Sequence, residues 1–185
     1  EKSICHGWTN NTVDARIVTD TKFNMSSSLR LTGNLDALRY AAQKVIVKTS
    51  KNIRETFTLS GWAKANSIPQ HARDYAQDAL FRLRARITYG DGKTEDFAAF
   101  FAPCTDEWQF ASVQVVKQQF KEVRNITVYC EYGFNTGYAY FDDIQLVRNN
   151  YETGLTSADF TVSSDGATGG TTNVSQFEEA KDRYG

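Results

Sequence analysis

Two adjacent carboxylates interrupt the last apolar run of the chain, and they are the residues whose chemistry stands out first. Asp142 and Asp143 lie between Tyr138 and Leu146, in a segment rich in residues that favour β-strands. Two neighbouring negative charges repel each other, so a compensating group is expected. That group could be a hard cation such as Ca²⁺, or backbone N–H groups and arginines. Because side chains alternate along a strand, the two carboxylates should diverge, and only one should bind a metal directly.

The same divergence argues against catalysis by this pair. Glycoside hydrolysis needs two carboxyl groups about 5–9.5 Å apart that face one substrate across a cleft. The sequence contains no Gly-x-Ser-x-Gly motif, phosphate loop or metalloprotease motif. Its two histidines make the chain poor in acid–base imidazoles. We therefore expect a protein that is not an enzyme.

Three arginines recur at every second position of one run. Arg82, Arg84 and Arg86 alternate with apolar residues, so they should form a row on one face of a strand. Such a row can bind a glycan that carries uronate or phosphate, because guanidinium groups pair with these anions in a bidentate manner. A groove for single-stranded nucleic acid also combines arginines with aromatic rings. The alternative is a solvated face whose arginines pair with cross-strand carboxylates such as Glu131.

Aromatic side chains are candidates for contact with sugars, whose rings present apolar C–H faces. The alternative for each of them is core packing, which we expect for Trp108. Trp62 differs, because its parity along the run opposes that of Phe57 and Leu59. If their strands share one sheet, a single face would hold the predicted binding residues Trp62, Arg82, Arg84, Tyr129, Glu131 and Tyr40.

Composition and charge narrow the class of protein. The chain has 185 residues, enough for one core of the usual domain size, and its formal net charge is −1. This balance gives no global attraction to nucleic acid, and no apolar run is long enough for a transmembrane helix. We expect neither nucleic-acid binding nor membrane insertion. Cys5, Cys104 and Cys130 are too few for a disulfide scaffold, so buried apolar cysteines are expected.

Short alternating runs, separated by turn residues, must position these side chains. The runs cover Ser28–Thr32, Tyr40–Lys48, Glu55–Ala65, Leu80–Tyr89, Thr94–Phe101, Gln109–Val116, Asn125–Tyr132 and Tyr138–Arg148. Gly90-Asp91-Gly92 predicts a hairpin between the fourth and fifth runs. No long stretch keeps a helical period, and residues 68–78 could form a short helix or a loop. Many short antiparallel strands at this spacing predict an all-β sandwich or barrel.

The character of the sequence changes after Asn150. Residues 153–172 are rich in Gly, Ser and Thr and can bury little apolar area. Residues 151–185 carry a net charge of −4, which leaves +3 for residues 1–150, since the whole chain carries −1. The sequence predicts a β-sandwich domain over residues 1–150. A flexible acidic linker, or the start of a following module, is expected over residues 151–185.

Several segments, in chain order, resemble one known family. Phe57–Ala65 (FTLSGWAKA) is similar to the Tyr-Thr-Leu-Ser-x-Trp-Ala-Lys-Ala strand of bacterial carbohydrate-binding modules of the family 4/9/16/22 type. Ser27–Leu31 resembles their first inner strand, and Glu107–Gln109 resembles their x-Trp-Gln strand entry. Gly137–Leu146 resembles their closing Gly-x-x-Tyr-Phe-Asp-Asp-Ile-x-Leu strand, and Gly7–Thr9 resembles their opening Gly-Trp-Thr. The resemblance covers about residues 1–148 and implies a jelly-roll β-sandwich of two antiparallel sheets.

The resemblance also implies a ligand and a metal. Members of the family that bind in a cleft hold polysaccharide on a concave sheet, and a structural Ca²⁺ commonly lies between the closing strand and the chain start. It therefore implies Asp142 or Asp143, together with Glu1, as calcium ligands. Such an ion would join the termini and would have no catalytic task. Asp182–Gly185 resembles the start of an RHS/YD repeat, which is found in large bacterial surface proteins.

These observations favour a non-catalytic carbohydrate-binding module of a secreted or cell-wall-associated bacterial protein. Its partner would be a polysaccharide or cell-wall glycan outside the cell or at its surface. The module itself is expected to be a monomeric part of a larger chain. The alternative is a structural or adhesion β-sandwich module of an RHS/YD-repeat surface protein that has no sugar site.

Overall fold

Ten β-strands make up the described part of the chain. The computed structural model describes residues 7–12, 14–24, 26–66, 79–102 and 105–150. The strands are β1 (Trp8–Asn10), β2 (Arg16–Val18), β3 (Ser28–Thr32), β4 (Leu38–Val45), β5 (Glu55–Ala65), β6 (Leu80–Tyr89), β7 (Thr94–Phe100), β8 (Gln109–Val116), β9 (Val123–Gly133) and β10 (Tyr138–Asn150). These residues contain no helix, and so none that is long and apolar enough to cross a membrane.

The strands form two five-stranded sheets that share one core. The sheet that we call the front sheet has the order β1-β4-β9-β6-β7, and the back sheet has the order β2-β3-β10-β5-β8. Every neighbouring pair is antiparallel. Successive strands such as β4, β5 and β6 lie in different sheets, so the chain crosses between the layers more than once. The predicted all-β sandwich of two antiparallel sheets is confirmed.

Alternation along the strands decides which side chains enter the core. In β6, Phe81, Leu83, Ala85 and Ile87 are buried between the sheets, while the arginines that alternate with them point away from the core. In β5, Phe57 and Leu59 are buried in the same cluster from the other layer. Each such side chain contributes about 1.5–3 kcal/mol by leaving water. A slip of one residue would expose the whole set, so the register is strongly specified.

A β-bulge in β10 explains why the neighbouring strand β5 contains a glycine. The pairing of β10 with β5 shifts register directly after Asp142. Asp143 has a φ of 49°, in the left-handed region. The next residue, Ile144, packs against the core, and a Cβ on Gly61 would overlap its Cδ1 atom. Glycine at position 61 is therefore the residue that lets the bulged strand approach.

Cys130 on β9 is a core residue. It is fully buried and forms no disulfide. Burial raises the pKa of its thiol, because the thiolate would lose its hydration. The expectation of a buried apolar cysteine is confirmed for Cys130, whereas Cys5 and Cys104 lie outside the described residues.

The longest strands begin and end close to the predicted limits. β3, β5, β6 and β8 have the predicted bounds, and the other predicted strands differ from their runs by a few residues. Two short strands were not predicted: β1 and β2 have three residues each, too few for an alternating pattern to show. Both lie at sheet edges. Residues 68–78, where the sequence is compatible with a short helix or a loop, lie outside the described residues.

Candidate functional site

A cleft of about 550 Å³ lies on the outer face of the front sheet. β1, β4, β6 and β9 contribute its lining, and we call it the front cleft. Two aromatic residues, Tyr40 and Tyr129, line it together with three cationic residues, Lys44, Arg86 and Arg124. The cleft therefore combines apolar ring surface with positive charge.

Cross-strand register places the outward side chains of the front sheet in rows. From β4 through β9 and β6 to β7, the first row is Tyr40, Glu131, Arg82, Phe100, the second is Ala42, Tyr129, Arg84, Ala98, and the third is Lys44, Thr127, Arg86, Asp96. Directly opposed residues have Cβ atoms about 4.5–5.5 Å apart, so each side chain can touch its neighbours in the row. The small side chain of Ala42, between Tyr40 and Lys44, leaves room for the front cleft.

A buried carboxylate anchors the first and second rows. Glu131 has no exposed surface. Its oxygens accept hydrogen bonds from Nε of Arg82 at 2.5 Å, and from Nε and Nη2 of Arg84 at 2.9 and 2.5 Å. A buried charge is costly unless it is paired and hydrogen-bonded, and the two arginines meet that need. The pairing of the arginines with Glu131 is confirmed, but this part of the face is buried and not solvated.

Asp96 on β7 ties the second row to the third. It accepts hydrogen bonds from Nε and Nη2 of Arg86 at 2.8 and 2.7 Å, and from Nη1 of Arg84 at 3.2 Å. The bond from Arg86 holds the pKa of Asp96 below its usual range, and the same bond raises the pKa of Arg86. Burial alone would lower the pKa of Arg84, but the hydrogen bond and charge of Glu131 outweigh it and raise that pKa. Both carboxylates of these rows are therefore engaged by arginines.

The ring of Tyr129 is held from two sides. The guanidinium carbon of Arg84 lies 3.9 Å from its centroid, a cation–π contact. The ring of Tyr40 meets it edge-on, with centroids 5.6 Å apart and planes at 73°. Both tyrosines remain partly exposed. The orientation of this aromatic pair is therefore set within the protein, before any ligand binds.

Five of the six predicted binding residues share the outer face of the front sheet. Tyr40 and Tyr129 line the front cleft, whereas Arg82, Arg84 and Glu131 form the ion-paired network beside it. The structure thus brings them together as predicted, with two at the surface of the cleft and three supporting it. Their contact with a ligand stays a prediction.

Other residues of the cleft were not predicted from the sequence. Lys44 shares the parity of Tyr40 on β4, and Asn125 and Thr127 share that of Tyr129 on β9, so a signal was present. The shared parity alone does not identify these residues as part of a site, because alternation does not tell which part of a strand lies beside a cleft. Arg124 reaches the cleft where the pairing of β9 with β6 becomes irregular, which alternation cannot anticipate.

Trp62 lies on the other side of the molecule. β5 belongs to the back sheet, so Trp62 cannot share a face with Arg82. The strands of the six predicted binding residues do not all lie in one sheet, and Trp62 is therefore not part of the common face. The ring of Trp62 stacks on Phe23, with centroids 3.9 Å apart, and lies 5.4 Å from Phe110. Trp108 lies 5.8 Å from Phe23. These four residues form an aromatic cluster on the back sheet, separate from the front cleft.

Asp142 caps backbone groups. Its Oδ2 atom accepts hydrogen bonds from the N–H groups of Phe23 at 2.9 Å and Asn24 at 3.0 Å. Its Oδ1 atom accepts one from the N–H of Asp143 at 2.7 Å. Both oxygens of this carboxylate therefore accept backbone donors, which fits the capping alternative. Asp143 is exposed, and its Oδ1 accepts a hydrogen bond from the side chain of Gln145.

A calcium site formed by Asp142 or Asp143 together with Glu1 stays a prediction, and Asp143 is the exposed one of the two aspartates. Glu1 lies outside the described residues. Within the described ranges, no group of three or more His, Cys, Asp or Glu side chains is placed to hold a metal ion. The side chains of the two aspartates diverge as expected, since Asp142 is buried and Asp143 is exposed.

In sequence, this chain is similar to a short region of much longer proteins. No protein-family model matches the chain. It is 28% identical over 151 residues to the tRNA nuclease WapA of Bacillus subtilis strain 168, which covers 80% of this chain and 6% of that protein. It is 28% identical over 139 residues to the tRNA3(Ser)-specific nuclease WapA of Bacillus spizizenii, which covers 74% of this chain and again 6% of the relative.

Comparison by structure finds carbohydrate-binding modules. The CBM22-1 xylan-binding domain of Paenibacillus barcinonensis Xyn10C superposes with a TM-score of 0.54 at 17% identity, over 80% of this chain and 89% of that domain. The CBM22-1–GH10 modules of Clostridium thermocellum Xyn10B, complexed with xylohexaose, superpose with a TM-score of 0.53 at 18% identity, over 78% of this chain and 26% of that chain. A family 16 carbohydrate-binding module superposes with a TM-score of 0.51 at 15% identity, over 77% of this chain and 91% of that module. As its motifs predicted, the chain therefore has the jelly-roll fold of the carbohydrate-binding modules.

Proposed function

We propose that this domain binds carbohydrate, without catalysing a reaction, in the front cleft. The observation that carries the proposal is a cleft of about 550 Å³ lined by two partly exposed tyrosines, Tyr40 and Tyr129. Small-ligand sites typically have volumes of about 300–1,000 Å³, with apolar walls and a few polar groups that fix orientation. The front cleft meets this description and suits a short stretch of a polysaccharide chain.

The lining of the cleft matches the two kinds of surface that a sugar presents. The C–H faces of a sugar ring pack on aromatic rings, which Tyr40 and Tyr129 supply. Its hydroxyl groups need hydrogen-bond partners, which the amide of Asn125 and the hydroxyl of Thr127 supply in the same cleft. The preset orientation of the tyrosine pair reduces the entropy lost when a ligand binds.

A further aromatic residue extends the face toward β7. Phe100, at the end of the first row, is 62% exposed and lies 5.7 Å from the guanidinium carbon of Arg82. An exposed aromatic side chain beside the Arg82–Glu131 network favours a binding face over one that only supports the fold. A long ligand that leaves the cleft across the sheet would meet this ring.

The similar solved structures support sugar as the class of ligand. One is described as xylan-binding and another is complexed with xylohexaose. Those ligands belong to those proteins, and the shared property is the fold. We propose by extension that the parent protein is a secreted or wall-associated bacterial protein, since polysaccharide ligands of this kind lie outside the cell.

The nuclease activity named for the curated relatives is proposed to reside outside the region matched here. The chain spans 6% of their length. On the face that carries the front cleft, Glu131 and Asp96 are both bound by arginines, so neither is free to act as a general acid or base. This arrangement supports the proposal of a binding role without catalysis.

A glycan array with one cleft variant and one matched control tests the proposal. We expect wild-type protein to bind at least one polysaccharide, and Tyr40→Ala to weaken that binding by about tenfold, since a stacked aromatic ring contributes about 0.5–1.5 kcal/mol beyond its buried area. Tyr138→Ala removes a ring of the same type, 39% exposed, from the back sheet and should bind as wild type does. Circular dichroism checks that both variants fold. A blank array across neutral, acidic and wall polysaccharides would contradict the proposal.

One observation favours the alternative role as a structural or adhesion module of an RHS/YD-repeat surface protein. In the aromatic cluster of the back sheet, Phe110 is 56% exposed and Phe23 is 42% exposed. Exposed apolar clusters of this kind often contact another protein surface. Under this alternative the array stays blank with wild-type protein.

A further inference from the structure

We propose that the front cleft is selective for an acidic glycan, and that Lys44, Arg86 and Arg124 receive its anionic group. This inference rests on the proposed carbohydrate-binding function and names the class of glycan. The anionic group is a carboxylate, as in a uronate, or a phosphate in a sugar–phosphate polymer. Both present the same paired oxygens to cationic side chains.

The charges of the front sheet are unevenly compensated. Arg82 and Arg84 are bound by Glu131, and Arg86 is bound by Asp96. Among the residues that the structure describes, neither Lys44 nor Arg124 has a carboxylate within ion-pair distance. These rows and the cleft together contain five cationic side chains against two carboxylates, although the chain as a whole carries a net charge of −1.

The three cationic side chains of the lining lie at one end of the cleft. Lys44 and Arg86 flank Thr127 in the third row, so their Cα atoms are two strand spacings apart, about 10 Å. Both side chains are long enough to converge on one anion above Thr127. Arg124 lines the same cleft from the start of β9, three positions before Thr127. The tyrosines stand next to this group, so a sugar ring on Tyr129 would hold its acidic substituent toward the cations.

A buried amide adds a neutral donor at the same place. Asn125 is only 4% exposed and lines the cleft. Its Oδ1 atom accepts a hydrogen bond from the hydroxyl of Thr127 at 3.4 Å. The amide also carries an N–H₂ group that can donate into the cleft. Donors from one amide and three cations suit a ligand group that only accepts hydrogen bonds, such as an ionised carboxylate or phosphate.

The number of cations favours a glycan over a nucleic acid. Binding to the backbone of a nucleic acid draws its affinity from many phosphate contacts, and a protein that makes about 6–10 of them loses affinity steeply as salt rises. The front cleft offers Lys44, Arg86 and Arg124, of which Arg86 already shares its charge with Asp96. That number matches one or two anionic groups on a sugar chain whose remaining affinity comes from stacking and hydroxyl contacts.

The test compares a cleft variant with a variant of equal charge elsewhere. The cleft variant is Lys44→Gln with Arg124→Gln, and the control is Lys51→Gln with Arg54→Gln, an exposed pair outside the cleft. The probes are polygalacturonate, a glycerol-phosphate polymer, neutral xylan and a single-stranded RNA oligonucleotide. Isothermal titration at two salt concentrations measures each affinity, and circular dichroism confirms the folds.

We expect an acidic polymer to bind best, and the cleft variant to lose about tenfold in affinity for it, since two ion pairs contribute up to about 1 kcal/mol each. The control should keep the wild-type affinity, and binding of neutral xylan, if present, should be the same in all three proteins. Polygalacturonate and the phosphate polymer separate the two sources of the anion. Tighter binding of neutral xylan, or equal losses in both variants, would overturn the acidic selectivity and leave carbohydrate binding intact. Preferential binding of RNA would overturn the inference, and no binding to any glycan would overturn the proposed function itself.

Discussion

At the scale of single residues, the two adjacent aspartates show how position within a strand separates identical side chains. Asp142 is buried and accepts three backbone N–H groups, whereas Asp143 is exposed in a left-handed conformation. The first connects the closing strand to the segment around Phe23, more than a hundred residues earlier in the chain. Their adjacency in sequence suggested joint chemistry, but the bulge gives them separate environments.

Substitution by asparagine should distinguish these two positions. Asp142→Asn places an N–H₂ group against backbone donors and removes the charge that they bind, so we expect it to lower the free energy of unfolding by about 1–3 kcal/mol. Asp143→Asn makes the same chemical change at an exposed site, and asparagine tolerates the left-handed conformation. It should stay within about 0.5 kcal/mol of wild type when calcium is absent. Urea denaturation of both variants in EDTA measures the difference, and equal losses would refute the capping role of Asp142.

At the scale of the elements, the front sheet is organised by its rows of outward side chains. Glu131 joins β9 to β6, and Asp96 joins β7 to β6. β6 therefore carries cationic side chains whose positions are set by carboxylates on both neighbouring strands. Because Arg84 also holds the ring of Tyr129, the same network sets the aromatic wall of the front cleft.

Removal of the buried carboxylate should therefore affect both stability and the cleft. Glu131→Gln keeps the shape but removes the counter-charge of Arg82 and leaves Arg84 with Asp96 alone. We expect a loss of about 3–5 kcal/mol in the free energy of unfolding. Glu122→Gln, at an exposed position just before β9, is the matched control and should change stability by less than about 0.5 kcal/mol. Chemical denaturation measures both values. A Glu131→Gln protein as stable as the control would show that the buried network is dispensable.

At the scale of the whole molecule, a structural calcium ion remains a proposal, with Asp143 and Glu1 as its ligands. An ion that binds only the folded protein stabilises it by mass action. We expect EDTA to lower the melting temperature by several degrees, and Asp143→Asn to remove that difference. Asp142→Asn should melt earlier than wild type but keep its response to EDTA. Differential scanning calorimetry tests this, and an unchanged transition in metal-stripped wild-type protein would rule out a calcium role. The boundary at residue 150 likewise stays a prediction.

The sequence by itself determined the eight longer strands of the described residues, to within a few residues, and which of their faces are apolar. Alternation is a local property, so the buried and outward sides of β5 and β6 could be predicted from Phe57 to Leu59 and from Arg82 to Arg86 alone. The motifs of β5 and β10 then indicated the jelly-roll fold. Only the tertiary structure decided which strands share a sheet, because pairing joins distant segments: Arg84 and Glu131 are 47 residues apart. That pairing sends Trp62 to the back sheet and buries Glu131. It also leaves Lys44 and Arg124 in the front cleft without an ion-pair partner among the described residues.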